Sequence, residues 1–273
     1  MANKHSKFDS TRLAILAHRF EGVARKMSKT FLRTGRPGIL NRVKDFAELS
    51  DGTGMGEVGA VIPPSVGVVS GRDPRAGLHY VNQFFLGMTG GAAGPLADAW
   101  LTVGHAGNVG LSCLDGVELD ELYHPLIVES RELIPDTEGA SRQIGAQSIR
   151  VEFGPIGAAL EIGHVSDEHQ NPLQGVRGGL AGGRADQKIQ RLGGTEEGLE
   201  PCAQVVVAAG ETIISIGAGG GGYGPPSEGD PALVAHAVQE GLLTLGRAEE
   251  TYGVILKAGV VDAEVTIERR GVS

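Results

Sequence analysis

The sequence predicts an α+β fold, with a β-rich central region, an amphipathic helix near the N-terminus and two helices near the C-terminus. Three observations predict it. Apolar residues recur at steps of three and four between positions 11 and 33, short segments between 78 and 215 alternate apolar and polar residues, and helix-start signals follow position 229. The 44 glycines have no collagen-like period and suit a fold of short strands and many turns.

The first predicted element is a helix over residues 11–33. Ser10 is a suitable N-cap because its hydroxyl can accept a hydrogen bond from a first-turn amide, and Gly35 and Pro37 end the helix. The apolar stripe of this helix consists of Leu13, Leu16, Phe20, Val23, Met27 and Phe31. We assign residues 1–49 to an N-terminal helical segment. Residues 50–77 are rich in glycine and proline, which indicates a junction loop.

The remaining residues, 78–273, form the predicted β-rich C-terminal region. Its alternating segments predict strands over residues 125–134, 147–153, 158–164, 203–208 and Thr212–Ile216. Asp230 followed by Pro231 predicts the start of a helix, because proline at the first helical position loses no hydrogen bond. A second short helix is predicted over residues 247–252, and a final extended segment over 260–268.

Charge and cysteine content exclude several classes of protein. The formal net charge is −9, which disfavours binding to a nucleic-acid backbone, and the basic residues between 25 and 36 are interpreted as a solvated helix face. Cys113 and Cys202 are the two cysteines, too few for a secreted disulfide scaffold. The chain has no apolar run of about 20 residues and no apolar signal core. The sequence therefore predicts a soluble, cytoplasmic protein without a membrane partner.

The most unusual local feature is the glycine run from Gly217 to Gly224, which directly follows a predicted strand. Its spacing satisfies the dinucleotide-binding pattern, but no helix starts immediately after it and no Gly-Lys-Ser/Thr follows. Two interpretations are open: a tight loop packed against another backbone, which we favour, and a binding loop of bare amides. In the second interpretation the candidate cofactor-binding residues are Gly219, Gly220, Gly221, Gly222 and Tyr223.

The histidines lie in none of the common metal-binding or catalytic patterns. Asp167-Glu168-His169 is the one tight cluster of acids and histidine, and an exposed turn is favoured there over a metal site. His105, between two glycine-containing dipeptides, is ambiguous. A self-sufficient small hydrolase that uses these residues is disfavoured, because no nucleophile–base spacing supports it. The catalytic residues are unknown at this point.

Several motifs, in order along the chain, carry a resemblance to a known family. The stretches are Arg33-Thr34, Arg42 to Phe46, Tyr123 to Leu126, Arg131 to Arg142, Gly217 to Pro225, and Ala248 to Val254 with its Tyr-Gly-Val ending. Together they resemble the hydantoinase B/oxoprolinase B family, in which a Gly-Gly-Gly-Gly-Tyr-Gly signature precedes a closing helix and an Ala-x-x-x-Tyr-Gly-Val element. The resemblance covers nearly the whole chain.

Membership of that family implies partner subunits. Hydantoinase A-type subunits bind ATP and phosphorylate the substrate oxygen, and the B-type component completes the reaction. The implied reactions are the hydrolysis of cyclic amides, such as hydantoins, oxoproline and lactams, or the carboxylation of ketones. An amide or enol oxygen is a poor leaving group until it is phosphorylated, so ATP activates a resistant small-molecule substrate.

The chain also departs from the family pattern, because it is shorter and lacks the Asp/His-rich segments that should follow Phe46. The resemblance implies a divalent metal, with Asp45 as one ligand. A catalytic metal typically needs about three protein ligands, so the ligand set is incomplete in this chain. Asp45 is then an orphan of a lost site, which we favour, or a ligand completed from another polypeptide.

Two hypotheses about function follow. In the first, the chain is a subunit of a heteromeric, ATP-dependent cyclic-amide hydrolase or ketone carboxylase, with a scaffold or partial-site role. In the second, it is a noncatalytic structural or regulatory protein derived from that family. A neighbouring gene encoding the missing Asp/His-rich segment would favour the first.

Overall fold

The computed structural model describes residues 61–62, 64–87, 90–101 and 116–271. The predicted helix over residues 11–33 lies outside these ranges, as do Asp45 and His105. The described part combines a β-rich body with helices near the C-terminus, which confirms the predicted α+β class. None of the helices in the described ranges has the length and apolar character needed to cross a membrane.

Within the described residues, ten strands build two antiparallel sheets of five. In chain order they are β1 Val61–Ile62, β2 Val68–Arg72, β3 His79–Gln83, β4 Leu126–Ile134, β5 Ser148–Pro155, β6 Leu160–Ser166, β7 Asp186–Gln190, β8 Glu196–Gly198, β9 Cys202–Val207 and β10 Thr212–Ile216. In the first sheet, β6 pairs with β9 on one side and with β1 and β2 on the other, and β3 pairs with β2. The second sheet has the order β4-β5-β10-β7-β8.

The two sheets pack face to face, because most of their strands turn alternate side chains towards a shared core. The aliphatic and aromatic core between them takes side chains from both sheets: Val69, Phe84, Leu86, Leu126, Ile149, Val151, Phe153, Leu160, Ile162, Ile189, Val207 and Ile213. Phe84 and Phe153 meet edge to face with ring centroids 5.8 Å apart, the geometry that aromatic quadrupoles prefer. The core is mainly aliphatic, as expected from a chain with 4% aromatic residues.

A buried serine pair also joins the sheets. Ser215, on β10, accepts a hydrogen bond from the backbone N–H of Ser65 at 3.2 Å and donates its hydroxyl to Ser65 Oγ at 2.9 Å. Both residues are fully buried. The pair therefore satisfies a backbone donor that water cannot reach.

Ser215→Ala should lower the free energy of unfolding by about 1–3 kcal/mol, because the Ser65 amide loses its buried acceptor. Urea denaturation monitored by circular dichroism measures the change. Ser227→Ala is the matched control, because Ser227 is exposed and should change stability by less than about 0.5 kcal/mol. Equal stability of both variants and the wild type would mean that this serine pair contributes nothing.

The helices of the described chain begin at recognisable caps. They are α1 Val117–Tyr123, α2 Pro231–Gln239, α3 Leu245–Glu250 and α4 Ala263–Arg270, and a hairpin of β11 Leu256–Lys257 and β12 Val260–Val261 lies between the last two. Asp230, Thr244 and Asp262 each accept a first-turn amide hydrogen bond, as N-cap side chains do. The Asp-Pro start at residue 230 is therefore confirmed.

Three sequence-based expectations differ from the structure. Residues 260–268 were expected to be extended, but only β12 is, and α4 begins directly after the N-cap Asp262. The C-terminal part thus has three helices instead of two. The stretch 50–77 was expected to be a loop, but β1 and β2 lie within it. The glycine and proline residues of this stretch indicated a loop, but pairing with β6 makes two of its segments strands.

Candidate functional site

The glycine run folds into a layer of extended backbones beside the end of β10. We call this the glycine layer and define it as residues 90–93, 137–146, 175–183 and 217–224. All residues from Gly217 to Gly224 are buried. The four segments come from distant parts of the chain, so the layer exists only in the folded protein.

The candidate cofactor-binding residues form their backbone hydrogen bonds with other segments of this layer. The N–H groups of Gly219, Gly220, Gly222 and Tyr223 donate to the carbonyls of Gly183, Ala146, Leu180 and Gln143 at 2.8–3.1 Å. The carbonyl of Gly221 accepts from Ala93 N–H at 3.0 Å. Amides engaged in this way do not face an open anion site. The geometry supports the tight-loop interpretation favoured from the sequence.

Steric contact explains why glycine is needed at these positions. A Cβ atom on Gly220 would lie far inside van der Waals distance of the Gly91 carbonyl, and one on Gly219 would do the same with the Thr137 carbonyl. A Cβ on Gly222 would meet Ser141 and the Gly139 carbonyl. These neighbours are mostly backbone atoms that cannot rotate away. The close approach of bare backbones therefore fixes the residue type.

Tyr223 closes the glycine layer. Its backbone forms a reciprocal pair of hydrogen bonds with Gln143, both at 3.0 Å, and its ring packs with Ala93 and Val176. The guanidinium of Arg142 lies 5.8 Å from the ring centroid, within the range of a cation–π contact. These contacts give Tyr223 a packing role, and cofactor binding by residues 219–223 stays a prediction.

The part of the chain that the structure describes contains no ligand set for the divalent metal that the resemblance implies. No group of three or more His, Cys, Asp or Glu side chains is close enough there to hold an ion. Asp45, the one ligand candidate, lies outside the described residues, so its role also stays a prediction. No chemical step is assigned to a metal in this chain.

A buried acid–base group, which the sequence reasoning missed, joins the glycine layer to the C-terminal helices. The Glu138 side chain is fully buried, and its Oε1 accepts hydrogen bonds from Arg247 Nε at 2.9 Å and from the Tyr252 hydroxyl at 3.1 Å. Burial raises the pKa of Glu138, and the Arg247 charge and hydrogen bond oppose that rise. Burial, followed by the Glu138 charge, raises the pKa of Tyr252. Arg247 is thus the counter-charge that makes a buried carboxylate tolerable.

Asp136, two residues earlier, anchors the same region. It has a left-handed backbone conformation with φ of 63°, which Asp tolerates better than most residues. Its carboxylate accepts from the Thr244 N–H at 2.8 Å and from the Thr244 hydroxyl at 2.7 Å. Because Thr244 is the N-cap of α3, the Pro-Asp-Thr-Glu segment positions the start of that helix.

The C-terminal helices form their own small core on this anchor. Its buried residues are Ala140, Val234, Leu243, Ala248, Tyr252 and Val254. Ala140 belongs to the glycine layer, so the two units share one packed interface. Asp136, Glu138 and Ala140 are alternate residues of one segment, and all three contact the C-terminal helices or their core.

The Asp167-Glu168-His169 cluster was expected to be an exposed turn, and the structure corrects this. It is a 3₁₀ turn after β6 in which Glu168 is fully buried. His169 Nε2 accepts the Gln187 N–H at 3.1 Å, so the Nδ1 nitrogen carries the proton and donates to the Ser166 carbonyl at 3.1 Å. Both nitrogens of this imidazole are engaged, which makes His169 a structural residue.

His164, on β6, lies buried near the same turn. Its side chain is 3% exposed. Burial, followed by the electrostatic interaction with the nearby His169 imidazole, lowers the pKa of His164. A neutral imidazole at this position is consistent with an interior site of low polarity.

Comparisons with known proteins agree on one family. The sequence profile described as hydantoinase B/oxoprolinase matches residues 63–226. The caprolactamase subunit beta of Pseudomonas jessenii is 28% identical over 209 residues, which cover 74% of this chain and 36% of that protein.

Two solved structures share the fold. The ATP-dependent caprolactamase from Pseudomonas jessenii superposes with a TM-score of 0.67 at 24% identity, covering 80% of this chain and 38% of that one. A nucleotide-free acetone carboxylase, from a study of ATP-dependent acetone carboxylation, superposes with a TM-score of 0.64 at 16% identity, covering 75% and 32%. This chain thus spans about a third of the length of these relatives. Since the profile match covers more than half of it, the chain belongs to the hydantoinase B/oxoprolinase family.

Proposed function

We propose that this chain is a B-type subunit of an ATP-dependent, multi-subunit enzyme that hydrolyses a cyclic amide or carboxylates a ketone. Its role there is that of a scaffold or a contributor to a shared site. The observation that carries the proposal is the family match over residues 63–226, which spans the β-sandwich and the glycine layer. The matched relatives are named as an ATP-dependent caprolactamase and an acetone carboxylase.

The scaffold role rests on how the described side chains are used. The glycine amides donate within the layer, Glu138 binds Arg247 and Tyr252, and His169 is fixed at both nitrogens. Each of these polar groups stabilises the fold. We therefore place ATP binding on a hydantoinase A-type partner, with Asp45 as an orphan of a lost metal site.

An exposed apolar loop supports the partner requirement. Trp100, the only tryptophan of the chain, is 80% exposed, and Leu96 in the same loop is 91% exposed. The loop itself is fixed: Asp98 Oδ1 accepts the Ile144 N–H at 2.7 Å, and the Ala99 N–H donates to the Ile144 carbonyl at 2.8 Å. A rigid loop that presents tryptophan to solvent is typical of an interaction hot spot.

Co-purification with candidate partners tests the proposal. The chain should be isolated alone and together with a hydantoinase A-type protein, and ATP hydrolysis should be measured with lactams, hydantoins, oxoproline and ketones. We expect substrate-dependent ATP turnover from the complex and none from the isolated chain. Trp100→Ala should weaken assembly by at least about tenfold, or 1.4 kcal/mol, whereas Leu192→Ala, at another exposed leucine, should not.

Two outcomes would decide against this proposal. ATP-dependent turnover by the isolated chain would show that it needs no partner. A stable complex with no turnover on any of these substrates would support the alternative, a noncatalytic interaction protein. One observation favours this alternative: the chain spans only 36% of the caprolactamase subunit.

A further inference from the structure

The outer faces of the two sheets differ in character. The second sheet is covered by charged pairs, in which Arg150 contacts Glu132 and Glu152, and Lys188 contacts Asp186 and Glu196. The first sheet exposes valines on four strands. These are Val68, Val81, Val165 and Val206, with exposed fractions of 46%, 73%, 48% and 57%, and we call this surface the valine face.

Strand register places the valines on the same side of the sheet, with other residues between them. Val81 pairs with Ser70, Ser70 with Glu161, and Glu161 with Val206, so one row across the sheet has a valine at each end and Ser70 and Glu161 in the middle. In the adjacent row Val68 pairs with Gly163. The small side chains at Ser70 and Gly163 leave a shallow depression between the valines. An open groove of about 360 Å³ lies there, lined by Ser70, Val81, Ala159, Glu161 and Val206 among others.

We propose that the valine face is the docking site of residues 11–33 of the same chain, the segment that the sequence predicts to be an amphipathic helix. The predicted stripe needs an apolar surface to cover it. From Leu13 to Phe31 the stripe would extend about 27 Å at 1.5 Å per residue. The four valines lie on β2, β3, β6 and β9, so the valine face extends across these strands and offers such a stripe a surface to cover.

Connectivity and charge both favour this occupant over a separate molecule. Strand β1, which follows the segment in sequence, pairs with β6 in the sheet that carries the valine face. The roughly 27 residues between the segment and β1 can span far more than the width of the sheet. Residues 11–33 carry six Lys or Arg residues and one Glu in a chain whose net charge is −9. A basic segment is therefore attracted to an acidic body.

Cys202 provides a reporter on the valine face. It is exposed and pairs in register with Val165. In a Cys113→Ser background it is the one thiol of the chain. Its alkylation rate by iodoacetamide should be slow when residues 11–33 cover the face and should rise about tenfold when they are displaced, because thiol reactivity follows the population of the open state.

Two pairs of variants make the test specific. Phe20→Asp, in the predicted stripe, should accelerate alkylation about tenfold, and His18→Asp, on the predicted opposite side of the helix, should leave the rate within about twofold. Val206→Asp on the valine face should act like Phe20→Asp. Ile127→Asp, at an exposed isoleucine of the second sheet, should act like His18→Asp. Circular dichroism should verify that each variant is folded.

The inference is overturned by any of three results. Equal rates in the Phe20→Asp and His18→Asp variants would mean that the stripe does not cover the face. Protection that disappears on dilution would identify a second copy of the chain as the occupant. Protection that appears only after addition of a partner subunit would assign the face to that subunit. The proposed enzymatic role is independent of all three results.

Discussion

Gly220→Ala is expected to prevent the chain from reaching a stable fold. The added Cβ would clash with the carbonyl and carbonyl carbon of Gly91 and approach the Ala146 N–H. None of these atoms can move alone, because Ala146 N–H donates to the Gly91 carbonyl at 2.9 Å and Gly220 N–H donates to the Ala146 carbonyl at 2.8 Å. We expect a loss on the order of 4 kcal/mol or more, comparable to the whole stability of many domains.

The yield of folded protein and its thermal unfolding measure this effect. Gly198→Ala is the matched control, because a Cβ there meets no atom within 4 Å and the residue has no positive φ. It should express and unfold as the wild type does. A stable Gly220→Ala variant that assembles with partners but loses ATP-dependent turnover would instead assign the glycine run to a ligand site.

The sequence predicted the strands whose side chains alternate most clearly. The predicted strand over residues 147–153 corresponds to β5, Ser148–Pro155, in which Ile149, Val151 and Phe153 all face the core. Strands β2 and β3 were missed because Val-Val-Ser-Gly-Arg and His-Tyr-Val-Asn-Gln combine glycine and polar residues with few apolar ones. Their strand conformation depends on the pairing of β2 with β6 and of β3 with β2, which is a tertiary effect that local propensity does not encode.

The candidate site was less predictable than the strands. The glycine run was visible in the sequence, but its partners Gly91, Ala146 and Gly183 lie between 36 and 129 positions away, as the paired residue numbers show. Glu138 and Arg247 are separated by 109 positions. One signal was available: the residues after Glu138 are Gly-Ala-Ser, whose small side chains suit a crowded interior. A carboxylate there requires a buried counter-charge.

Arg247→Ala is expected to destabilise the protein by about 3 kcal/mol, because it leaves the Glu138 carboxylate buried without a counter-charge. The Glu138 side chain is 0% exposed, whereas that of Arg247 is 26% exposed, so water cannot replace the guanidinium at Oε1. The attachment of α3 should weaken as well, since Arg247 also donates to the Glu138 carbonyl at 3.4 Å. Urea denaturation of the variant and the wild type measures the loss.

The pH dependence of the stability of the Arg247→Ala variant follows from the direction in which the pKa of Glu138 is shifted. Burial raises the folded-state pKa of Glu138 above its ordinary value of 4.5. A carboxyl with a raised folded pKa contributes its full stability below the unfolded pKa and loses it as pH rises through the folded pKa. Arg247 lowers the Glu138 pKa, so its removal raises that pKa further. The stability gap between the variant and the wild type should therefore widen as the pH rises above the ordinary value of 4.5.

Two further variants distinguish the loss of the counter-charge of Glu138 from other causes of lower stability. Tyr252→Phe removes one neutral donor to Glu138 and should cost about 1 kcal/mol, with a weaker pH dependence than Arg247→Ala. Lys188→Ala removes the cation of exposed ion pairs and should cost less than about 1 kcal/mol. If the Arg247→Ala gap stayed constant with pH, Glu138 would not be the group left unpaired. The buried Glu138–Arg247 pair would then not be what attaches the C-terminal helices to the glycine layer.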